Sequence, residues 1–279
     1  MATPGPISAP LSARIDATGA PWINLKSAPI VHVGQSAVVL GRGESGALIV
    51  LTSPSAGLMP GGIQFVTDRE FATARREISA STGVVSLAHW NVPTVTRADL
   101  TALPVGIHPD ASRVLRAGIA RSRNDTGIMS PEPARIAGNR LAAGSRTTEI
   151  RDALFSLIGA GPGTTPSGDD VVVGVLAGLL ATGRDASFRA IVAELPALLD
   201  RTTRASRHYL AAAAQRRFAD HVLELLESLG DPAALQSAVD RAAGWGATSG
   251  LDLASGILST LRHSLSHTLG SDSIIERAA

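Results

Sequence analysis

The sequence predicts an α+β protein, with a strand-rich N-terminal portion followed by a mainly α-helical C-terminal portion. Apolar, β-branched runs bounded by Gly, Ser and Pro occur in the first half, at 28–40, 47–51 and 84–88. In the second half, apolar residues recur at helical spacing, as at Phe218, Val222 and Leu225. A polar stretch with Asn, Gly and Pro separates the halves. We therefore expect a strand-rich domain at 1–120, a linker or long loop at 121–145 and a helical domain at 146–279.

One helix is predicted within the strand-rich portion. Thr67 and Glu70 have the spacing of a capping box, and Phe71, Ala74 and Ile78 follow at helical intervals. A second helix is expected to begin near residue 110, directly after a proline.

Composition excludes several classes of function. The 279 residues include no cysteine, which rules out disulfides, thiolate catalysis and cysteine-ligated zinc. The net charge is +1 and aromatic residues make up only 3% of the chain, so a nucleic-acid surface is not expected. We find no apolar stretch long enough to cross a bilayer, and residues 1–10 lack the pattern of a signal peptide. These features predict a cytoplasmic protein without membrane or nucleic-acid partners.

The strongest signal is a pattern that occurs twice, as SGDDVVVGVL at 167–176 and SGLDLASGIL at 249–258. Both segments read Ser-Gly-x-Asp-x-x-x-Gly-apolar-Leu and both open a predicted helix, which suggests an internal duplication. Each serine is placed to cap its helix, and each aspartate to reach back towards the cap. Gly174 and Gly256 would let the two helices pack closely, with their N-termini side by side.

Capping alone explains part of this pattern, but the first helix start carries more than capping requires. The additional residues are Gly161, Gly163, Thr164, Thr165 and Asp169. Backbone amides in a glycine-rich turn, together with the helix dipole, form an anion site. An ordinary ATPase is not expected, because Asp169 stands where a P-loop needs lysine. A ligand with an anionic end and an NH₂ end fits amides beside a carboxylate better.

The candidate site combines these residues with the segment TTRAS at 202–206. We expect Asp169, Asp170 and Asp252 to act in catalysis. The expected substrate-binding residues are Gly161, Gly163, Thr164, Thr165, Ser167, Gly168, Thr202, Thr203, Arg204, Ser206, Thr248, Ser249 and Gly250. No cofactor is required, although Asp169 and Asp170 could bind Mg²⁺. His263 and His267 have metal-ligand spacing without an HExxH pattern, and we interpret them as a polar helix face.

The motifs GPGTTPSGDD (161–170), TTRAS (202–206) and TSGLD (248–252) resemble, in this order, those of the AllH-like subunit of bacterial oxamate carbamoyltransferase. Much of that family carries only a domain-of-unknown-function label. The resemblance covers about residues 150–261. It implies a cytosolic multi-subunit enzyme of allantoin nitrogen catabolism, a part of purine degradation. That enzyme exchanges oxalurate and phosphate for oxamate and carbamoyl phosphate. Every one of these ligands is an anion, and partner subunits are expected.

The chain departs from that family at two positions. Family members commonly have leucine in place of Thr164 and histidine in place of Ala247, so the substrate of this chain could be a related carbamoyl or carboxylate compound. Three functions therefore stay open. The chain is a transferase or lyase subunit, a non-catalytic scaffold or ligand-binding subunit, or a metal-dependent hydrolase that uses Asp169 and Asp170.

Overall fold

The computed structural model describes residues 5–17, 26–42, 47–88, 90, 92, 94–126, 132–144 and 146–275. The fold is α+β, as the sequence predicts. The strands are β1 (Gly5–Pro6), β2 (Ser12–Asp16), β3 (Ser27–Val33), β4 (Ala37–Arg42), β5 (Ala47–Thr52), β6 (Gly62–Phe65), β7 (Val84–Ser86) and β8 (Thr94–Ala98). The helices are α1 (Asp68–Ser79), α2 (Ala111–Thr126), α3 (Glu132–Ala143), α4 (Thr147–Leu157), α5 (Ser167–Ala181), α6 (Asp185–Glu194), α7 (Arg204–Ala214), α8 (Asp220–Glu227), α9 (Pro232–Ala243) and α10 (Ser249–Ile275). The side chains of His263 and His267 lie outside the described residues.

The described strands form one mixed sheet in the order β1-β7-β3-β4-β5-β6-β2-β8. The pairs β1–β7, β5–β6 and β2–β8 are parallel, and the remaining neighbours are antiparallel. The apolar segment 28–40 is not one strand but a hairpin of β3 and β4, with an irregular register between Ile30 and His32. The chain reverses at 34–36, where Gly34 donates to the carbonyl of Ala37.

Helix α1 covers one face of this sheet. Its first turn is capped as predicted: Thr67 accepts from the amide of Glu70 and donates to the Glu70 carboxylate at 2.8 Å. Phe71 and Ile78 lie in the same buried cluster as the strand residue Phe65, whose ring meets that of Phe71 edge-on at 5.7 Å. Burial of this apolar face holds the helix on the sheet.

A short later segment, 217–220, completes the strand-rich unit. Phe218 is buried, and its amide donates to the carbonyl of Leu100 at 2.9 Å. The Asp220 carboxylate accepts from Arg14 at 2.6 Å and from the amide of Leu58 at 3.0 Å. The first compact unit therefore contains residues 1–101 and 217–220, and the second contains 102–216 and 221–279. These groupings differ from the predicted domain ranges.

The range 121–145, expected to be a linker or long loop, contains the end of α2 and all of α3. Ala137, Leu141 and Ala142 are buried, because α3 packs against α4, α5 and α10. The polar composition of the range did not predict this packing, because α3 contains few large apolar residues and exposes charged side chains such as Arg140.

Helix α5 lies at the centre of the helical unit. Nearly every residue in it is buried, because α3, α4, α6, α7 and α10 surround it. A helix that is apolar on all sides is typical of such a central position. Among the described helices, none is long and apolar enough to cross a membrane.

Candidate functional site

The N-termini of α5 and α10 lie side by side, as the repeated pattern predicts. At the helix crossing, a Cβ added to Gly174 would lie 2.0 Å from the carbonyl oxygen of Leu253. A Cβ added to Gly256 would lie 2.2 Å from the carbonyl oxygen of Val171. Only glycine fits at both positions, so the two glycines fix how closely the helix starts approach each other.

Hydroxyl groups join the two helix starts directly. The Thr165 and Ser249 hydroxyls are 3.0 Å apart, and those of Ser167 and Thr248 are 3.4 Å apart. Each pair takes one residue from the start of either helix. The four side chains therefore belong to a single polar cluster between the helix N-termini.

The prediction that Ser167 caps α5 was wrong. The cap position belongs to Pro166, whose carbonyl accepts from the amides of Asp169 and Asp170, and no side chain caps this helix. Because Pro166, with its fixed φ, takes the cap position, the helix starts at Ser167, one residue earlier than expected. As a result, the Ser167 hydroxyl is directed at Thr248 rather than at its own backbone.

The glycine after each serine has a packing role. A Cβ on Gly168 would lie 2.0 Å from the carbonyl oxygen of Leu157, and one on Gly250 would lie 1.8 Å from that of Ala242. In each case the C-terminal end of the preceding helix, α4 for Gly168 and α9 for Gly250, lies against the backbone of the glycine. Gly168 and Gly250, which we expected to bind substrate, are therefore glycine because another backbone passes beside them.

The turn before α5 presents free backbone donors. Gly159, Gly161 and Gly163 have positive φ values of 79°, 115° and 96°, a conformation that favours glycine. In the part of the chain that the structure describes, the amides of Gly161, Gly163, Thr164 and Thr165 donate to no protein acceptor. Residues 161–164 are exposed, so these donors are open to a ligand.

Asp169 holds this turn in place. One of its carboxylate oxygens accepts from the amide of Gly159 at 2.9 Å, and the other accepts from the Thr202 hydroxyl. Burial raises the pKa of Asp169, and its hydrogen bonds with Thr202, Gly159 and Ser206 oppose that rise. Because both oxygens are occupied, the contacts of Asp169 are those of a positioning residue.

The TTRAS segment supports the turn from the other side. Thr203 is the cap of α7, where it accepts from the amide of Ser206 at 3.1 Å. Its hydroxyl donates to the carbonyl of Thr164 at 2.5 Å. Arg204 begins the helix and is half-buried. Thr202 and Thr203 thus both bind the glycine-rich turn, one through Asp169 and one directly.

Asp170 differs from Asp169 in having an unsatisfied oxygen. It is buried, and its Oδ2 atom has no hydrogen-bond partner among the described residues. Burial raises the pKa of Asp170 well above the usual value, and the charges of Asp252 and Asp169 add to this while a hydrogen bond with Ser249 opposes it. A buried carboxyl of this kind favours its neutral form and can donate as well as accept.

Asp252 is fully buried beside Asp170 and is paired with Arg123. The Arg123 guanidinium lies 3.4 Å from the Asp252 carboxylate and donates to the Ser255 hydroxyl at 3.0 Å. The nearby guanidinium of Arg123 gives Asp252 an electrostatic environment different from that of Asp170. Neighbouring carboxyls in different environments are a common feature of functional sites.

Two residues of this cluster were missed by sequence reasoning. Arg123 lies in the range that we expected to be a linker, and no local motif marks it. Tyr209 follows the TTRAS segment, and the pKa of its phenol is raised by desolvation and by the charge of Asp170. It is the single tyrosine of the chain, and this was the only signal in the sequence that could have marked it.

Within the described residues, no group of three or more His, Asp or Glu side chains could hold a metal ion. Asp169 and Asp170 are neighbours in the sequence, but the two Asp169 oxygens already accept hydrogen bonds from Gly159 and Thr202. Hard cations such as Mg²⁺ need several oxygen ligands, which this pair alone does not supply.

Comparison with known proteins agrees with the motifs. Residues 157–261 match the model of a family described as oxamate carbamoyltransferase subunit AllH. No curated protein and no solved structure matches the chain. The matched range begins at the end of α4 and includes the glycine-rich turn, α5, α7 and the first half of α10. The segment 157–261, which carries the cluster between the two helix starts, is therefore AllH-like, as the sequence predicted.

Proposed function

We propose that the chain is a subunit of a cytoplasmic carbamoyltransferase-type complex, and that it binds a small anionic carbamoyl or carboxylate compound at the glycine-rich turn. The observation that carries this proposal is the combination of free amides at 161–165 with the buried Asp170 carboxyl. The description of the matched family as a subunit supports the expectation of partner subunits.

The two halves of the site suit the two ends of such a ligand. Backbone amides at a helix N-terminus bind a carboxylate or phosphate group without a counter-charge from a side chain. A neutral Asp170 carboxyl can donate to an amide carbonyl and accept from the amide NH₂ at the same time. Oxamate, oxalurate and carbamoyl phosphate each combine an anionic group with a carbamoyl or amide group. No cofactor enters this proposal.

In this proposal the remaining acids have different roles. Asp169 positions the turn through Gly159 and Thr202, whereas Asp252, paired with Arg123, supplies a fixed negative charge beside Asp170. That charge contributes to the raised pKa of Asp170. We place the complex in allantoin nitrogen catabolism, because the family resemblance implies it.

A non-catalytic binding or scaffold subunit is the second candidate. Ala247 favours it: this exposed residue precedes Thr248, at a place where the family that the chain resembles commonly has histidine. A methyl group provides no acid–base chemistry at that place. Under this candidate the chain binds the ligand or supports the assembly, and partner chains carry out the reaction.

The test is carbamoyl transfer by the complex purified through a tag on this chain, with wild type, Asp170→Asn and Asp240→Asn. Asp240 is an exposed acid on α9 and serves as the matched control. We expect Asp170→Asn to lower the rate by about 100-fold or more, the effect of losing one acid–base group, with Asp240→Asn unchanged. Full activity in a correctly assembled Asp170→Asn complex would support the scaffold candidate instead.

A further inference from the structure

Tyr209 lies on α7, a helix that packs against α5 and begins beside the glycine-rich turn. The cap of α7, Thr203, donates to the carbonyl of Thr164 in that turn. Residues three positions apart share a helix face, so Ser206 and then Tyr209 continue the face that Thr203 starts. Ser206 is buried on this face. Tyr209 is therefore on the same side of α7 as the residues that contact the turn, roughly two helical turns further along.

The phenol of Tyr209 makes no hydrogen bond within the part of the chain that the structure describes, although its side chain is half-buried. A desolvated tyrosine hydroxyl normally has a hydrogen-bond partner, so packing alone does not explain this one. Desolvation and the charge of Asp170 raise the pKa of the phenol. The hydroxyl therefore keeps its proton at neutral pH and can donate it to an acceptor.

Asp170 provides a second unsatisfied group close to this phenol. Its Oδ2 atom is buried and accepts no hydrogen bond from Tyr209 or from any other described residue. The effect of the Asp170 charge on the phenol shows that the two side chains are near each other. Buried polar groups are normally paired, so two such groups that are close without being bonded indicate a place for a third. A molecule bound between them would satisfy both.

A carbamoyl group has more hydrogen-bonding positions than one carboxyl can fill. Its carbonyl oxygen has two lone pairs, and its nitrogen has two N–H donors. In the function proposed above, the neutral Asp170 carboxyl donates to one lone pair and accepts from one N–H. The second lone pair of the carbonyl then needs another donor, because an unpaired acceptor in a desolvated site costs free energy. A protonated phenol is a donor of the required kind.

We propose that Tyr209 is a specificity-determining residue of this site, and that its hydroxyl donates to the carbonyl oxygen of a carbamoyl group bound by Asp170. The inference rests on the function proposed above. Tyr209 then favours ligands that have a carbamoyl group beside the anionic group over simple carboxylates. A site built to hydrogen-bond a group discriminates against compounds that lack it, because its own polar groups are left unpaired.

The first experiment is calorimetric titration of the full chain with oxamate and with acetate, which has a carboxylate but no carbamoyl group. In Tyr209→Phe we expect about tenfold weaker oxamate binding, the effect of losing one hydrogen bond, and unchanged acetate binding. The variant should melt no lower than wild type, because the lost hydroxyl has no described partner. The matched control is Ser237→Ala, which removes an exposed hydroxyl on α9 and should bind both compounds like wild type.

Fluorine NMR reports on the phenol directly. Tyr209 is the single tyrosine of the chain, so incorporation of fluorotyrosine gives one resonance from the protein. Saturating oxamate should shift this resonance, whereas acetate should leave it in place. If Tyr209 only packs against its neighbours, neither compound will shift it, and the proposal is then wrong.

The binding data also separate this inference from the function on which it rests. Oxamate binding that is weakened in Asp170→Ala but not in Tyr209→Phe would overturn the role of Tyr209 and leave the proposed function standing. A wild-type chain that binds neither oxamate nor acetate would overturn both. Equal weakening of oxamate and acetate binding in Tyr209→Phe would also contradict the role of Tyr209, because the phenol would then act on the anionic group.

Discussion

At the residue scale, the adjacent aspartates Asp169 and Asp170 differ in the hydrogen bonds that their carboxylate oxygens accept. Asp169 has a hydrogen-bond donor on each of its oxygens, whereas Asp170 has a buried oxygen that accepts from no described donor. In the motif GDD the two residues are chemically identical. Only their contacts distinguish a carboxylate that stabilises the turn from one that has an unsatisfied oxygen.

The titration of Asp170 leads to a prediction about pH. Because its folded-state pKa is raised, the folded protein binds a proton more readily than the unfolded chain. The resulting stabilisation is complete below the ordinary pKa of 3.8 and is lost as the pH rises towards the folded-state pKa. Asparagine stays neutral at every pH, so the melting temperature of Asp170→Asn relative to wild type should increase from about pH 4 to pH 7.

Thermal melts of both proteins across this pH range test that prediction, with Asp240→Asn as the control for loss of an exposed acid. A melting-temperature difference that does not change with pH would contradict a buried, raised-pKa carboxyl at 170. Asp169→Asn provides the contrast. Its amide group would meet one of the two donors, so we expect a loss of about 1–3 kcal/mol in the free energy of unfolding.

At the element scale, the site exists because α5 and α10 cross at glycines. The contacts of Gly174 and Gly256 are between backbones, so no rotamer change can relieve an added methyl group. This distinguishes them from Gly138, whose added Cβ would meet the side chain of Val171. The crossing keeps the hydroxyls of Thr165 and Ser249 within hydrogen-bond distance.

Gly174→Ala should therefore separate the two helix starts. We expect the free energy of unfolding to fall by about 2 kcal/mol or more, although alanine favours an isolated helix. Urea denaturation gives the measurement. The control is Gly106→Ala, where an added Cβ has no heavy atom within 4 Å and stability should hardly change. Equal stability of both variants would show that the helices do not cross as described.

At this scale the repeated motif correctly predicted the two helix starts, but it predicted only part of the interactions made there. The spacing of serine, aspartate and glycine identified both helix starts and their packing. It did not identify the cap, because Pro166 takes that position, nor the packing role of Gly168 and Gly250. Those outcomes depend on which backbone passes beside each residue, and local sequence does not contain that information.

At the scale of the whole molecule, the segment 217–220 belongs to the strand-rich unit, although the residues before and after it belong to the helical unit. Residues 217–220 contribute a buried ring, an ion pair between Arg217 and Asp16, and the Asp220 carboxylate to the strand-rich unit. The compact units are therefore not two consecutive stretches of chain. The predicted domain ranges, 1–120 and 146–279, are by contrast each one continuous stretch of chain.

Asp220→Ala tests how much the segment 217–220 contributes to the stability of the strand-rich unit. The change leaves the amide of Leu58 and the guanidinium of Arg14 without this acceptor. We expect a loss of about 2–3 kcal/mol, measured by urea denaturation, because hydrogen bonds to a charged group are lost. Amide exchange should accelerate in β2 and β6. Glu227→Ala, which removes an acid at the other end of α8, is the control and should leave exchange in those strands unchanged.

Local sequence was sufficient to specify the α+β class, the capped helix α1, the twin helix starts and the AllH-like segment. These follow from periodicity and from residue types whose physics acts over a few positions. Only tertiary packing brings Arg123 to Asp252 and leaves Asp170 with an unsatisfied oxygen. The reason is that burial and charge depend on what other segments bring near a residue, and those segments lie far away along the chain.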